Sequence, residues 1–165
     1  MDSNPCWRVT APAPGRQRDR VLSEQEMRIV WEACSEMDIQ YRSLFRLQIL
    51  TAQRMGELRT MRWQDLDLEA GWWTIPGDMV KNSLSHRVPL TPQVKEILDV
   101  ILAFKDNSSW VFPSPRRPGK TLSRFAMQSA VVRLRNQTDL DFVIHDLRRT
   151  AASHMTGMGS TPGSR

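Results

Sequence analysis

Apolar residues along this chain fall mostly at the three- and four-residue spacing of a helix, and only briefly alternate as a strand does. Ser23, followed three residues later by Glu26, carries the signature of a helix start, and Met27, Val30 and Trp31 then share one face. From Ile39 to Ala52 the segment IQYRSLFRLQILTA sets Leu44, Phe45, Leu47, Ile49 and Leu50 nearly all round, the pattern of a buried helix. A short helical stretch through Leu58 and Met61 follows, with Gly56 expected to allow an irregular turn beside Arg54. Trp72 to Ile75 is rich in strand formers and His86 to Leu90 alternates. Pro76-Gly77-Asp78 and Asn82-Ser83 read as turns, so a small antiparallel sheet is predicted with Lys81 beside a turn. Thr91 and Pro92 open a further helix carrying Val94, Ile97, Leu98, Ile101 and Leu102. A Pro- and Gly-rich loop with an extended piece from Trp110 to Phe112 leads to an amphipathic helix over TLSRFAMQSAVVRLRNQ. HDLRRTAASHMTGMG predicts a last helix, ended by Gly157 or Gly159. The fold class implied is mainly α with a small antiparallel β-sheet, α+β, without internal repeats.

The pattern fails at both ends. Residues 1–20 are rich in Pro, Gly and Arg and read as a flexible basic arm or linker, while 160–165, STPGSR, read as a disordered tail. Between them, residues 21–159 form one expected domain, consistent with a 165-residue chain that can bury one real core.

Charge narrows the partners. Lys plus Arg total 23 against 18 Asp plus Glu, a formal net charge of +5, which favours a polyanion and first of all nucleic acid. A soluble protein that is simply basic remains the alternative. Cys6 and Cys34 form neither a disulfide framework nor a zinc motif, so a reducing compartment is expected and no metal. No apolar run approaches the roughly 18 residues that span a bilayer, and the N-terminus lacks the apolar stretch of a secretory signal. A soluble, cytoplasmic protein without membrane partners is expected.

Three places carry candidate chemistry. His145 and Arg148 lie one helical turn apart on the last helix, where a guanidinium can fork onto phosphate oxygens beside an imidazole able to exchange a proton, with Arg149 expected to point elsewhere. The same spacing also suits a solvated or salt-bridged helix face. Arg54 stands at a helix junction, where a cation needs an anion, either a ligand or an internal partner such as Glu57. Lys81, near its turn, can deliver an ammonium proton to a leaving oxygen. Arg116, Arg117 and Lys120, in the Pro- and Gly-rich loop, form a candidate DNA-backbone patch. Trp63, Trp72, Trp73 and Trp110 are expected in the core rather than stacked on bases, and His86 is expected on a strand surface.

With LTAQRMGELRTMRWQDLD, MVKNSLSHRVPLTP and IHDLRRTAASH in this order, the chain resembles the catalytic domain of the tyrosine recombinases, the phage integrase family, over Val21 to Gly159. The resemblance implies a DNA-cutting and -rejoining enzyme of integration and site-specific recombination that needs no cofactor and acts on double-stranded DNA. In that family two arginines and a histidine hold the scissile phosphate, a lysine protonates the leaving 5′ oxygen, and a tyrosine forms a 3′-phosphotyrosyl link. Residue by residue, the arginines correspond to Arg54 and Arg148, the histidine to His145 and the lysine to Lys81. The family's later histidine or tryptophan, its nucleophilic tyrosine on late helices and its N-terminal clamp domain find no counterpart. Tyr41 precedes Arg54 in an expected core helix, and His154 is too near His145 to stand in for the later histidine. The expectation is therefore an incomplete recombinase domain with its C-terminal helices missing, bacterial or phage-derived, nucleoid-associated and inactive alone. It would self-associate through apolar surface near Met155 and Met158, or associate with an intact recombinase. A DNA-binding modulator without catalysis and a metal-independent nuclease using His145 and Lys81 are the rival expectations.

Overall fold

The computed structural model describes residues 19–77 and 84–159, with side chains to position 157. The expected arm up to position 18, the tail 160–165, Lys81 with the turn at Asn82-Ser83, and the Met158 side chain lie outside the described residues.

Six helices surround a small sheet among the described residues: α1 (Glu24–Ala33), α2 (Ile39–Thr51), α3 (Met55–Arg59), α4 (Pro92–Leu102), α5 (Arg124–Thr138) and α6 (Ile144–Gly159). The predicted capping box opens α1: the Ser23 hydroxyl accepts from Glu26 N at 3.2 Å, and Glu26 Oε2 accepts from Ser23 N at 2.8 Å. Just ahead, Leu22 N donates to the buried Thr150 hydroxyl at 2.9 Å, pinning the entry of the domain onto α6. α1 packs against α5, and α2 packs against α4 and α6, which makes α2 the central helix. Its buried residues, Ser43, Leu44, Phe45, Leu47, Gln48 and Thr51, form a wide stripe, whereas Ile49, Leu50 and Tyr41 are half-buried. The helix is therefore covered over most of its circumference rather than all of it.

The strands β1 (Leu66–Asp67), β2 (Trp72–Ile75) and β3 (His86–Pro89) form an antiparallel sheet in that order. Trp73 faces Val88 across β2 and β3 and both are buried, as period-two alternation requires, while Ile75 pairs with His86 at the far end. β1, two residues long, pairs Leu66 with Trp73 and was not anticipated. Thr91 caps α4 through Val94 N, with Pro92 in its first turn, as the sequence predicts. Ser123 caps α5 by accepting from Ala126 N at 3.0 Å. In α6 the buried Asp146 accepts from Val143 N at 2.9 Å and closes that helix start.

Two expectations change. The unusual backbone at the α2–α3 junction is not at Gly56, which sits inside α3 with no atom within 4 Å of a would-be Cβ. It is at Ala52, whose φ of 52° places it in the left-handed region, where a Cβ is crowded by its own backbone. Of the tryptophans expected in the core, only Trp73 is fully buried. Trp63, Trp72 and Trp110 are half-buried, and each lies under a cation: Lys105 5.5 Å from the Trp63 ring centroid, Arg87 4.6 Å from Trp72 and Arg62 4.8 Å from Trp110. A ring this large rarely finds complete cover in a small domain, and a long basic side chain shields the remaining face.

Cys34, fully buried, yields the first testable expectation. Burial pushes its thiol from 9.0 up to about 12, against a smaller opposite pull from Arg46. A group raised on folding favours the native state below its unfolded pKa and withdraws that support as pH climbs toward the folded value. Stability is therefore expected to fall between roughly pH 9 and 12. Cys34→Ala should flatten that alkaline limb in denaturant titrations, and Cys34 should resist alkylation until the protein unfolds.

Candidate functional site

Arg54 and Arg148 stand 94 positions apart in sequence (148 − 54) and come together at the left-handed end of α2. Ala52, turned by its positive φ, presents its carbonyl to α6, and Arg148 Nε donates to it at 2.8 Å. Two residues on, Arg54 occupies the cap position of α3. Its backbone N–H donates to Glu57 Oε2 at 2.9 Å and its Nη1 to Glu57 Oε1 at 3.2 Å. Both ends of one carboxylate thus hold Arg54; only the acid's half of a capping box is made, since a guanidinium cannot accept from the Glu57 N–H. The Glu57 side chain is 5% exposed and that of Arg54 47%, so the acid is sunk beneath a guanidinium that still reaches solvent.

Burial, and then repulsion from Arg54, draw the Arg148 pKa below its ordinary value, while Glu57 opposes the shift. The two guanidiniums are close enough to repel, and Glu57, ion-paired with Arg54, pulls the other way. Such an arrangement leaves a net positive charge, which an anion with several oxygens can satisfy. The internal partner considered for Arg54 is real, yet one carboxylate does not neutralise two arginines.

Two openings flank this pair. A cleft of about 450 Å³ is bordered by Arg54, Gly56 and Arg59 from α3, by Arg124 and Gln128 from α5, and by Ile144. A wider one of about 570 Å³ runs along α6 past His145, Arg148, Arg149 and Ser153. His145 is exposed and shares that opening with Arg148, as the one-turn spacing predicts. Arg149 does not point away as expected. It borders the same opening, because four residues after His145 bring a helix back to nearly the same direction, and its Nη1 lies 3.6 Å from Asp146 Oδ1.

The segment of Lys81 lies outside the described residues, but its flanks do not. Ile75 and His86, on either side, are paired across the sheet, and His86 Nε2 contacts Gln53 Oε1 at 3.2 Å. His86 is thus a half-buried tie between the hairpin and the residue preceding Arg54, rather than a free surface histidine. Arg116, Arg117 and Lys120 are exposed as predicted and border neither opening. Their loop is closed by Ser114 N to Lys120 O at 2.8 Å and by Trp110 Nε1 to Gly119 O at 3.1 Å, so the charges ride on a folded turn. Tyr41, with Arg133 5.4 Å from its ring centroid, also borders neither opening, and His154 is exposed on α6 near Glu24.

The sequence model of the phage integrase family matches residues 20–162, nearly the whole chain. The chain belongs to the phage integrase family. A shufflon-specific DNA recombinase of Escherichia coli is 32% identical over 158 residues, covering 96% of this chain but only 38% of that protein. The XerA recombinase structure superposes with a TM-score of 0.70 at 22% identity, over 91% of this chain and 54% of that one. A lambda integrase tetramer bound to a Holliday junction gives 0.69 at 24% identity, over 87% and 44%. These likenesses establish the integrase catalytic-domain fold, α+β as the sequence predicts. They also show that the chain spans well under half the length of the curated relative. Among the described residues, no helix of this integrase-family chain is long and apolar enough to cross a membrane, and no cluster of metal-ligating side chains occurs.

Sequence reasoning missed the cleft residues Arg59, Arg124 and Gln128. Arg59 closes α3 five positions after Arg54, and Arg124 follows the Ser123 cap, so the pattern marks both as ordinary helix-end cations. Only the packing of α3 beside α5 shows that they border one space.

Proposed function

We propose that this chain grips the backbone of double-stranded DNA and supplies the phosphate-holding part of a site-specific recombination centre, with Arg54, Arg148 and His145 around the scissile phosphate. The observation that supports it most is the closeness of Arg54, held by the buried Glu57, to Arg148, held by the Ala52 carbonyl, each bordering one of two adjoining openings. During strand transfer the phosphorus passes through a five-coordinate state whose negative charge exceeds that of the ground state. Cations already fixed by Glu57 and by the Ala52 carbonyl need little reorganisation to meet it. Lys81 is the proposed acid for the leaving 5′ oxygen. Support comes from the contact of His86 with Gln53, which tethers the strand following the lysine segment beside Arg54. Arg116, Arg117 and Lys120 are read as further backbone contacts, adding affinity without sequence preference.

Tyr41 is the single tyrosine of the sequence and borders neither opening, so the nucleophile in this proposal comes from chain outside these 165 residues or from an intact recombinase. Assembly with a second copy or with an intact recombinase is part of the proposal. The lambda integrase tetramer on a Holliday junction and the exposure of Met155, at 40%, support it.

The test is a salt titration of binding to a mixed-sequence duplex, followed by incubation with a nicked suicide duplex. Affinity is expected to fall log-linearly with salt, with a slope near −0.9 for each phosphate engaged. Arg28→Ala, on the exposed face of α1, should leave it unchanged. No covalent adduct on Tyr41 is expected. Salt-independent binding, or an adduct mapping to Tyr41, would overturn the proposal.

A further inference from the structure

Arg59 and Arg124 border the same cleft without an acid of their own. Arg59 is held rigidly: its Nη1 donates to Leu122 O at 2.6 Å, and its own carbonyl accepts from the Thr121 hydroxyl. Its Nε is buried with no hydrogen-bond partner. Among the described residues neither arginine has a carboxylate within ion-pair distance, and Glu57, the acid bordering this cleft, is engaged by Arg54. Burial, and then the charge of Arg124, draw Arg59 below its usual pKa, so the two cations repel across the opening. Gln128, one helical turn after Arg124, adds a neutral amide, and Gly56 leaves the α3 side of the cleft open. A like charge beside a fixed, half-buried guanidinium with an unsatisfied donor is costly to keep unless an anion completes it.

We propose that Arg59 and Arg124, with Gln128, form a second phosphate subsite that holds a DNA backbone phosphate other than the one between Arg54 and Arg148. The inference rests on the reading that this chain grips DNA, and it adds where a further phosphate sits. Spacing supports it: α3 advances about 7.5 Å from Arg54 to Arg59. Successive phosphates of one strand wind around the duplex and are centred farther apart than their axial rise, so two arginines separated in this way can meet different phosphates. Charge decides between a phosphate and a base edge. A neutral base would leave both guanidiniums uncompensated, whereas a phosphodiester brings a full negative charge and two oxygens for the forks to share.

Thermodynamic counting of phosphates tests this without knowledge of the DNA site. Duplex binding is titrated with salt for the wild type, Arg124→Gln, Arg59→Gln, Arg148→Gln, the Arg59→Gln/Arg124→Gln pair, and that pair combined with Arg148→Gln. Arg124 is exposed, so its substitution should not disturb folding, and thermal unfolding checks the Arg59 variants. Arg124→Gln is expected to flatten the slope by up to about 0.9, and the Arg59/Arg124 pair by no more than about 0.9, because one phosphate is shared. Adding Arg148→Gln should remove up to about another 0.9, since Arg54 also holds that phosphate. An unchanged slope in the Arg59→Gln/Arg124→Gln pair overturns the proposal, as does a weaker affinity at constant slope in that pair, which would mark a base contact. A triple variant no flatter than Arg148→Gln alone overturns it by placing these arginines on one phosphate. Absence of salt-dependent binding in the wild type is a separate result, read before any variant, and removes the DNA reading itself.

Discussion

Replacing Arg148 by alanine is expected to weaken duplex binding by about 10- to 100-fold, the range of one lost charge-assisted contact. The salt slope should also fall, by up to about 0.9, because Arg54 remains on the same phosphate. The magnitude follows from how the side chain is held. Its Nε is committed to the Ala52 carbonyl at 2.8 Å, which fixes the plane of the guanidinium and leaves the Nη edge for an anion. Lysine separates charge from geometry. Arg148→Lys keeps the positive charge, so the slope should return to the wild-type value. A single ammonium cannot bond the Ala52 carbonyl and also present a fork, so most of the affinity loss should persist. Binding isotherms at several salt concentrations distinguish the two substitutions. Full recovery of affinity by lysine would mean that Arg148 acts only as a diffuse charge.

The elements that sequence patterning predicts well are those whose burial is simple. Thr91 and Ser23 cap helices as their positions suggest, and Trp73, Ile75 and Val88 alternate into the core as a half-buried sheet demands. β1 escaped because two residues carry no period, and it exists only because Leu66 finds Trp73 across the sheet. Glycine was misleading at the α2–α3 junction. The fold places its left-handed residue at Ala52, and a local propensity rule cannot see that α6 holds the Ala52 carbonyl from a distant part of the chain.

The candidate site was legible where it lies along one element and obscure where it depends on packing. The one-turn spacing of His145 and Arg148 follows from helix geometry alone, and the same geometry should have included Arg149. The closeness of Arg54 to Arg148 came only through family resemblance, since nothing in residues 55–147 requires the two to meet. Arg59 and Arg124 were invisible for the same reason. Their significance is a relation between α3 and α5, and each taken singly resembles an ordinary terminal cation.

Glu57→Gln should move stability and DNA affinity in opposite directions. The carboxylate accepts from the Arg54 backbone at 2.9 Å and from its guanidinium at 3.2 Å, and it is almost wholly buried. Glutamine keeps the shape but provides one carbonyl oxygen where two carboxylate oxygens are used. Either the α3 cap or the side-chain bond is then lost, and the amide donors face a cation. Removing one partner of a buried pair costs about 3–5 kcal/mol, but Arg54 reaches water and recovers part of its solvation, so about 2 kcal/mol is expected. In a domain of this size that corresponds to a melting temperature lower by roughly 4–8 °C. The cleft meanwhile loses its counter-charge, leaving Arg54 and Arg148 more strongly positive toward DNA. Non-specific duplex binding should tighten and its salt dependence should not weaken. If Glu57 served only as a helix cap, stability would fall with affinity unchanged. If it only tuned charge, affinity would rise with no loss of stability. Thermal unfolding and salt-resolved binding on the same preparation separate these outcomes, and both changes together are expected if one carboxylate sets the position and the charge of the phosphate grip.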